Sequence, residues 1–196
     1  KELYNRGPRL YPGKVGLVDG QRHFTYREVG ERCNRLAGAL LGFGLRRGDR
    51  LGLLLKNSAE LIEAHAAGAK TGVVVGAVNY RMSLDGMKQV IEGLGCRTLI
   101  VDHEYAARIA SLRNELPTLE TYVVVGGDFD GMHEYETLLR QSVRYCLDVE
   151  QRMHEKNYPE SKVRELLPRL LDEYKLLGVK LGTREADDQW TEQLAQ

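Results

Sequence analysis

The sequence predicts an α/β fold, a three-layer parallel-type sheet with helices on both faces, plus a helical C-terminal extension. Short, nearly continuous apolar runs recur at residues 50–55, 73–78, 97–101 and 122–125. Stretches of about 10–15 residues with apolar positions at helical spacing lie between them. Capping residues and glycines stand at the joins. An apolar run without alternation is a strand covered on both faces. Strands alternating with helices give a parallel sheet, because a parallel neighbour needs a crossover.

The elements follow in order. Residues 15–18 and 23–26 flank Asp19-Gly20, which reads as a hairpin turn. Thr25 stands three residues before Glu28, a capping box that opens a helix. Its apolar positions are Tyr26, Val29, Cys33, Leu36, Ala37, Leu40 and Leu41, and Gly44 stops it. The strand at 50–55 comes next. Asn57 or Ser58 caps a second helix with Leu61, Ile62, His65, Ala66 and Ala69 on one face, closed by Gly68 and Gly72. After the strand at 73–78, residues 83–93 read as a short helix and 97–101 as a strand. Asp102 caps a helix running to 115, Pro117 ends the connection, and 122–125 is a further strand. Residues 135–139 read as helical.

The strand pattern stops near 140, so the domain is drawn over 1–140 with a helical extension over 141–196. In that extension Val163, Leu166, Leu167, Leu170, Leu171 and Tyr174 repeat at helical spacing, with Pro168 among them. The stripe is expected to dock a protein partner or a second copy of the chain. Trp190 in the polar tail is a candidate docking anchor.

Composition excludes several classes. The 196 residues carry 28 Lys+Arg against 28 Asp+Glu, so no global field favours nucleic acid or an anionic membrane. No segment reaches the length of a membrane span. Cys33, Cys96 and Cys146 fall in no metal or CxxC spacing and suit a reducing compartment, so a cytoplasmic protein is expected. The five histidines form no HxxxH or HExxH pair, and His65 is expected as a packed core histidine. Asp128-Phe-Asp130-Gly131 lacks the later ligands of a calcium loop and reads as an acidic turn. No catalytic residue and no metal site is assigned.

"GLRRGDRLGLLLKNS", residues 44–58, has basic residues, glycines and a fresh helix start, the ingredients of a phosphate site. Arg46 and Arg47 nevertheless precede a strand, whereas ligands of such sheets sit where strands end and helices begin. The stretch reads as scaffold. Asn79-Tyr80-Arg81 has the right polarity, following one strand and preceding a short helix. A guanidinium there suits phosphate, and a plain surface arginine is the alternative.

The order of pieces from Phe24-Thr25-Tyr26 through Asn34-Arg35-Leu36-Ala37, Gly48-Asp49-Arg50, Asn57-Ser58 and residues 72–79 resembles the N-terminal part of the adenylate-forming superfamily. "LGCRTLIVD" and "TYVVVGG" extend the resemblance, which covers residues 8–140; residues 141–196 are not recognised. The resemblance implies an acyl- or aryl-CoA synthetase, in which ATP and a carboxylate give an acyl-adenylate and CoA then takes the acyl group. ATP, Mg and CoA are thereby implied for the full-length family, with none held firmly by this chain. It also implies that Arg81 lies near the nucleotide end of CoA. The family's phosphate loop, its aromatic-Gly-x-Thr-Glu and Thr-Gly-Asp segments and its C-terminal lysine are absent from the sequence. The expectation is a truncated relative inactive alone, with a non-catalytic interaction module as the rival reading.

Overall fold

The computed structural model describes residues 2–142, with side chains from Tyr4 onward. The chain divides into two units, Lys1–Ser142 and Val143–Gln196. The second unit, with its expected apolar stripe, Pro168 and Trp190, lies outside the described residues.

Helix α1 (Glu2–Leu10) opens the chain. Sequence pattern does not reveal it, because Gly7 and Pro8 both stand inside it. Both are used for close packing. A Cβ at Gly7 would strike the Tyr26 ring, and one at Gly30 would strike Pro8. Strands β1 (Val15–Asp19) and β2 (Arg22–Thr25) form the expected hairpin, with Asp19 ending the first strand and Gly20 taking a positive φ of 60°. Helix α2 (Tyr26–Gly42) starts on the full Thr25–Glu28 capping box.

The main sheet contains β3 (Arg50–Leu54), β4 (Val74–Ala77), β5 (Thr98–Asp102), β6 (Thr121–Val125) and β7 (His133–Glu134). Its order is β4-β3-β5-β6-β7 and every pairing is parallel. The helices are α3 (Ala59–Thr71), α4 (Leu84–Leu94), α5 (His103–Ala110) and α6 (Tyr135–Gln141). The dipeptide His133-Glu134 is thus a fifth strand that is too short to register as a pattern.

Strand alternation divides the core. Leu54, Leu99, Val101 and Tyr122 pack with Met87 and Ile91 of α4 and Ile109 of α5. Gly76 leaves room for Leu94 and Gly52 for Leu99 and Cys96, since a Cβ on either would strike those side chains. Leu51, Leu53, Ile100 and Val123 point the other way and are fully buried as well.

Three expectations are corrected. The α3 face named from sequence is largely the outer one: Ile62 is 43% exposed, and His65 and Ala69 are exposed too. The buried face is Ala59, Glu60, Glu63, Ala64, Ala66, Ala67 and Lys70. Carboxylates with partners went inside, which hydropathy does not anticipate. The helix after Asp102 ends at Ala110, and a separate 3-10 turn occupies Arg113–Glu115. Asp102 also does not cap it with its side chain.

Candidate functional site

Chain connections diverge at the carboxyl ends of β3 and β5. From β3 the chain passes through α3 to β4 on one side, and from β5 through α5 to β6 on the other. Such a switch point is where open parallel sheets hold ligands. Here it is stitched. Asp102 Oδ2 accepts the backbone N–H of Lys56 at 2.7 Å, and Lys56 Nζ pairs with Glu104 at 2.5 Å. Burial pushes the Asp102 carboxyl above its ordinary value. Ser58 caps α3 through the Leu61 N–H, and the Asp19 carboxylate accepts the Ala59 N–H.

Beside the stitch lies a cleft of about 440 Å³. Asp19, Glu60, Asp102, Glu134 and Glu136 line it with the single guanidinium of Arg22. Each carboxylate has a partner. Arg22 forks onto Glu60 at 2.6 and 3.1 Å and also reaches Asp19. The Ala59 N–H and then Arg22 hold Asp19 below the usual carboxylate range. Burial opposes ionisation of Glu60, yet the Arg22 bond prevails and its carboxyl is lowered. Glu134 accepts from the N–H groups of Glu136 and Thr137, capping α6.

Behind this wall Arg32 forks twice. It binds Glu63 at 2.5 and 3.2 Å and Glu136 at 2.6 and 2.9 Å. Tyr135 donates its hydroxyl to Glu63 at 2.7 Å. Burial raises the Glu63 carboxyl, and burial next to that carboxylate raises the Tyr135 hydroxyl far above its ordinary value. Lys70 donates to Asn5 and Asn34, which ties α3 to α1 and α2. Burial pushes the Cys33 thiol up to about 12, so it is inert as a nucleophile. None of these contacts had a sequence signal, because partners stand 31 to 104 residues apart. The one clue was Glu60, Glu63 and Lys70 sharing the small-residue face of α3.

An acidic cleft repels phosphates. The cationic side chains at strand ends lie elsewhere. Arg81 is exposed between β4 and α4, its backbone N–H bonded to Asn79 Oδ1 and its guanidinium 5.6 Å from the Tyr80 ring centre. Tyr80 stacks on Tyr105 at 5.9 Å, and Lys56 Nζ lies 5.9 Å from the Tyr105 ring centre. Within residues 44–58, Gly44 and Gly48 have φ of 88° and 91°, and Asp49 Oδ2 accepts the Arg46 N–H, which shapes the turn that leads into β3. Among the described residues no group of His, Cys, Asp and Glu is placed to hold a metal ion, and no helix is long and apolar enough to cross a membrane.

The fold and this strand-end crevice define an open, all-parallel α/β domain. The AMP-binding enzyme family model matches residues 5–164, beyond the stretch the sequence motifs mark, and the chain belongs to that family. It is 34% identical over 147 residues to the 3-oxocholest-4-en-26-oate–CoA ligase of Rhodococcus rhodochrous, covering 72% of this chain and 26% of that protein. It is 32% identical over 123 residues to the 3-hydroxybenzoate–CoA ligase of an Aromatoleum species, covering 61% of this chain and 24% of that one. The anthranilate CoA ligase AuaEII, solved with anthranoyl-AMP, superposes with a TM-score of 0.67 at 29% identity over 72% of this chain and 27% of that chain. Coronafacic acid ligase of Pectobacterium brasiliense shares the fold, with a TM-score of 0.68 at 18% identity. The chain therefore spans about a quarter of the length of these relatives.

Proposed function

We propose that this chain is the N-terminal portion of an acyl- or aryl-CoA ligase architecture and does not itself activate a carboxylate. The parent reaction converts ATP and a carboxylate to an acyl-adenylate and pyrophosphate, then transfers the acyl group to the CoA thiol with release of AMP. The observation that carries the reading is the family match over 5–164 together with a strand-end site whose carboxylates are all engaged in ion pairs, caps or backbone hydrogen bonds. Such a site offers scaffold, not an acid, base or nucleophile. Arg81, exposed at the end of β4, is the residue of this chain suited to the nucleotide phosphates of CoA, which a guanidinium binds through paired N–H groups. When present, ATP would supply the adenylyl group, with pyrophosphate as the leaving group, and Mg would neutralise the phosphate charge. The residues described here hold the sheet that would carry them.

Carboxylate-dependent ATP–pyrophosphate exchange over a panel of aliphatic, aromatic and steroid acids tests the reading. No exchange above a protein-free blank is expected, because the electrostatic positioning that supplies most of the rate has no residues here. Clear exchange with any acid overturns it.

A further inference from the structure

The two edges of the main sheet are finished differently. β7 closes one edge with only His133 and Glu134, and the Glu134 side chain is spent capping α6. So short an edge, carrying a charge, is poorly suited to pairing. β4 forms the other edge with Val74, Val75, Gly76 and Ala77, and among the described residues no strand pairs with its outer side. That edge has no charge, no proline and no break in its register with β3. Val74 is 51% exposed and Ala77 is exposed as well. Val74 donates its N–H to the Asp49 carbonyl at 2.8 Å and Val78 to the Leu53 carbonyl at 2.7 Å. Backbone direction alternates along a strand, so the N–H and C=O groups of Val75 and Ala77 point out of the edge. Helix α3 adds to the same flank. Its charged residues Glu60, Glu63 and Lys70 are buried, and its exposed positions are Ile62, His65 and Ala69. Gly68 faces β4, where a Cβ would strike Val75, while Glu63 and Lys70 reach partners on α2. The exposed stripe therefore turns away from α2, toward the side of the open edge. In a chain with 29% charged residues, an exposed helix face without charge beside a strand edge without charge marks a surface that is covered.

We infer that this flank is the interface of a twofold dimer, in which β4 of one copy pairs antiparallel with β4 of a second. The occupant is a second copy because the surface complements itself. It brings no like charges together across the axis, and it offers a foreign partner no charge to recognise. An axis at Gly76 sets Val75 of each copy against Ala77 of the other, so the amides and carbonyls left open on both edges are met. Val74, exposed in the single chain, then lies opposite Val78 of the second copy. Half-buried Leu94 sits over Gly76, where a Cβ would strike its methyls, so the Leu94 side chains of the two copies meet above the paired glycines. On the opposite face the two α3 helices approach through their uncharged stripes. The assembly closes at two copies, because the β7 edges do not extend it.

Sedimentation velocity on the 196-residue chain, from about 1 to about 100 μM, is expected to show a reversible monomer–dimer equilibrium with a micromolar dissociation constant, as suits a small interface. Val74→Lys puts an ammonium into the pairing and is expected to weaken the dimer about tenfold or more. Ile62→Lys is expected to weaken it about threefold or more. Val18→Lys is the control, at a residue 58% exposed on the hairpin, and is expected to leave association unchanged. All three positions are exposed, so melting temperatures of the dilute variants are expected to match the parent. Amide hydrogen exchange reads the pairing without any substitution: exchange at Val75 and Ala77 is expected to slow as concentration rises. A chain that stays monomeric throughout overturns the proposal. So does association that survives Val74→Lys or is lost in Val18→Lys. Protection of Val75 and Ala77 that is the same at every concentration also overturns it, since the edge is then covered without a second copy.

Discussion

The two faces of the sheet are built from different materials. Against α4 and α5 the sheet buries Leu54, Leu99, Val101, Met87, Ile91 and Ile109, a packing of branched and unbranched aliphatic chains. Against α2, α3 and α6 it buries Leu51, Leu53, Ile100 and Val123 together with small residues and charge: Ala64, Ala66 and Ala67 beside Glu60, Glu63 and Lys70. The aliphatic face is held by removal of apolar area from water. On the charged face alanines bring the helices close, and long polar side chains then cross the gap to partners on other helices. Arg32 joins α2 to both α3 and α6. A buried carboxylate tolerates its place only while its partner is present. The charged face should therefore be the more brittle of the two to single substitutions at its ion pairs.

The largest expected effect breaks that face. Arg32→Met keeps the length and apolar stem and removes the fork, leaving Glu63, which is 0% exposed, with only the Tyr135 hydroxyl. A loss of about 3–5 kcal/mol is expected in chemical denaturation. The companion variant Arg32→Met/Glu63→Leu, with Tyr135→Phe, should recover much of it, because an apolar trio leaves nothing unpaired. Failure to recover would mean that the ions set the fold and not merely each other.

Leu54→Ala probes the aliphatic face. Leu54 is fully buried between β3, α4 and α5 neighbours, and the substitution should cost about 2–5 kcal/mol by urea titration. A cost under about 0.5 kcal/mol, the size of a surface change, would show that the face repacks freely.

These two faces also explain what could be read from the chain. The aliphatic face was legible. Residues 50–55 and 97–101 announce buried strands by their apolar runs, and the helix read over 83–93 is α4, which Gly95 closes. The capping box of α2 was read directly because both of its residues are local. The charged face was misread at α3, where Ile62 and His65 were placed inward and proved outward. Hydropathy puts Glu63 outside, and only its contacts with Arg32 and Tyr135, 31 and 72 residues away, explain its burial. The short β7 and the Gly-Pro-bearing α1 escaped for a different reason, since tertiary pairing overrode weak local propensity. Of the candidate site, the position of Arg81 after a strand and before a short helix was legible, since strand polarity places it there. Its neighbours Lys56 and Tyr105 were not, because three separate connections bring them together.

A smaller effect separates the carboxylates by their sign with pH. Asp19 and Glu60 are held below the usual range, so each adds stability above its unfolded value that is lost as pH falls through its folded value. Asp102 runs the other way. Burial raises it, so it costs stability above its folded value, and the cost vanishes as pH falls toward about 4, its unfolded value. Asp102→Asn keeps an oxygen to accept the Lys56 N–H and removes the charge. The variant should be the more stable at pH 7 and equal to the parent near pH 3. Its acid-induced loss should be the steeper, as followed by denaturation at a series of pH values. A variant less stable at pH 7 would show that the charge itself strengthens the stitch.

The smallest expected effect concerns the exception on the charged face. Thr98 begins β5 and is fully buried, yet its hydroxyl has no hydrogen-bond partner among the described residues. Its side chain points away from the cluster that holds Leu99 and Val101, and so toward the face where every buried carboxylate is paired. Its strand neighbours, Leu51 and Thr121, flank it in register. An unmet buried hydroxyl costs free energy that a methyl of the same shape does not. Thr98→Val keeps the β-branch that suits a strand and should stabilise the fold by up to about 1 kcal/mol, with an unchanged denaturant slope. A loss of similar size would mean that the hydroxyl is bonded after all, through a buried water between β5 and the helices. In that case the charged face leaves no polar group unmet, and its rule of pairing holds without exception.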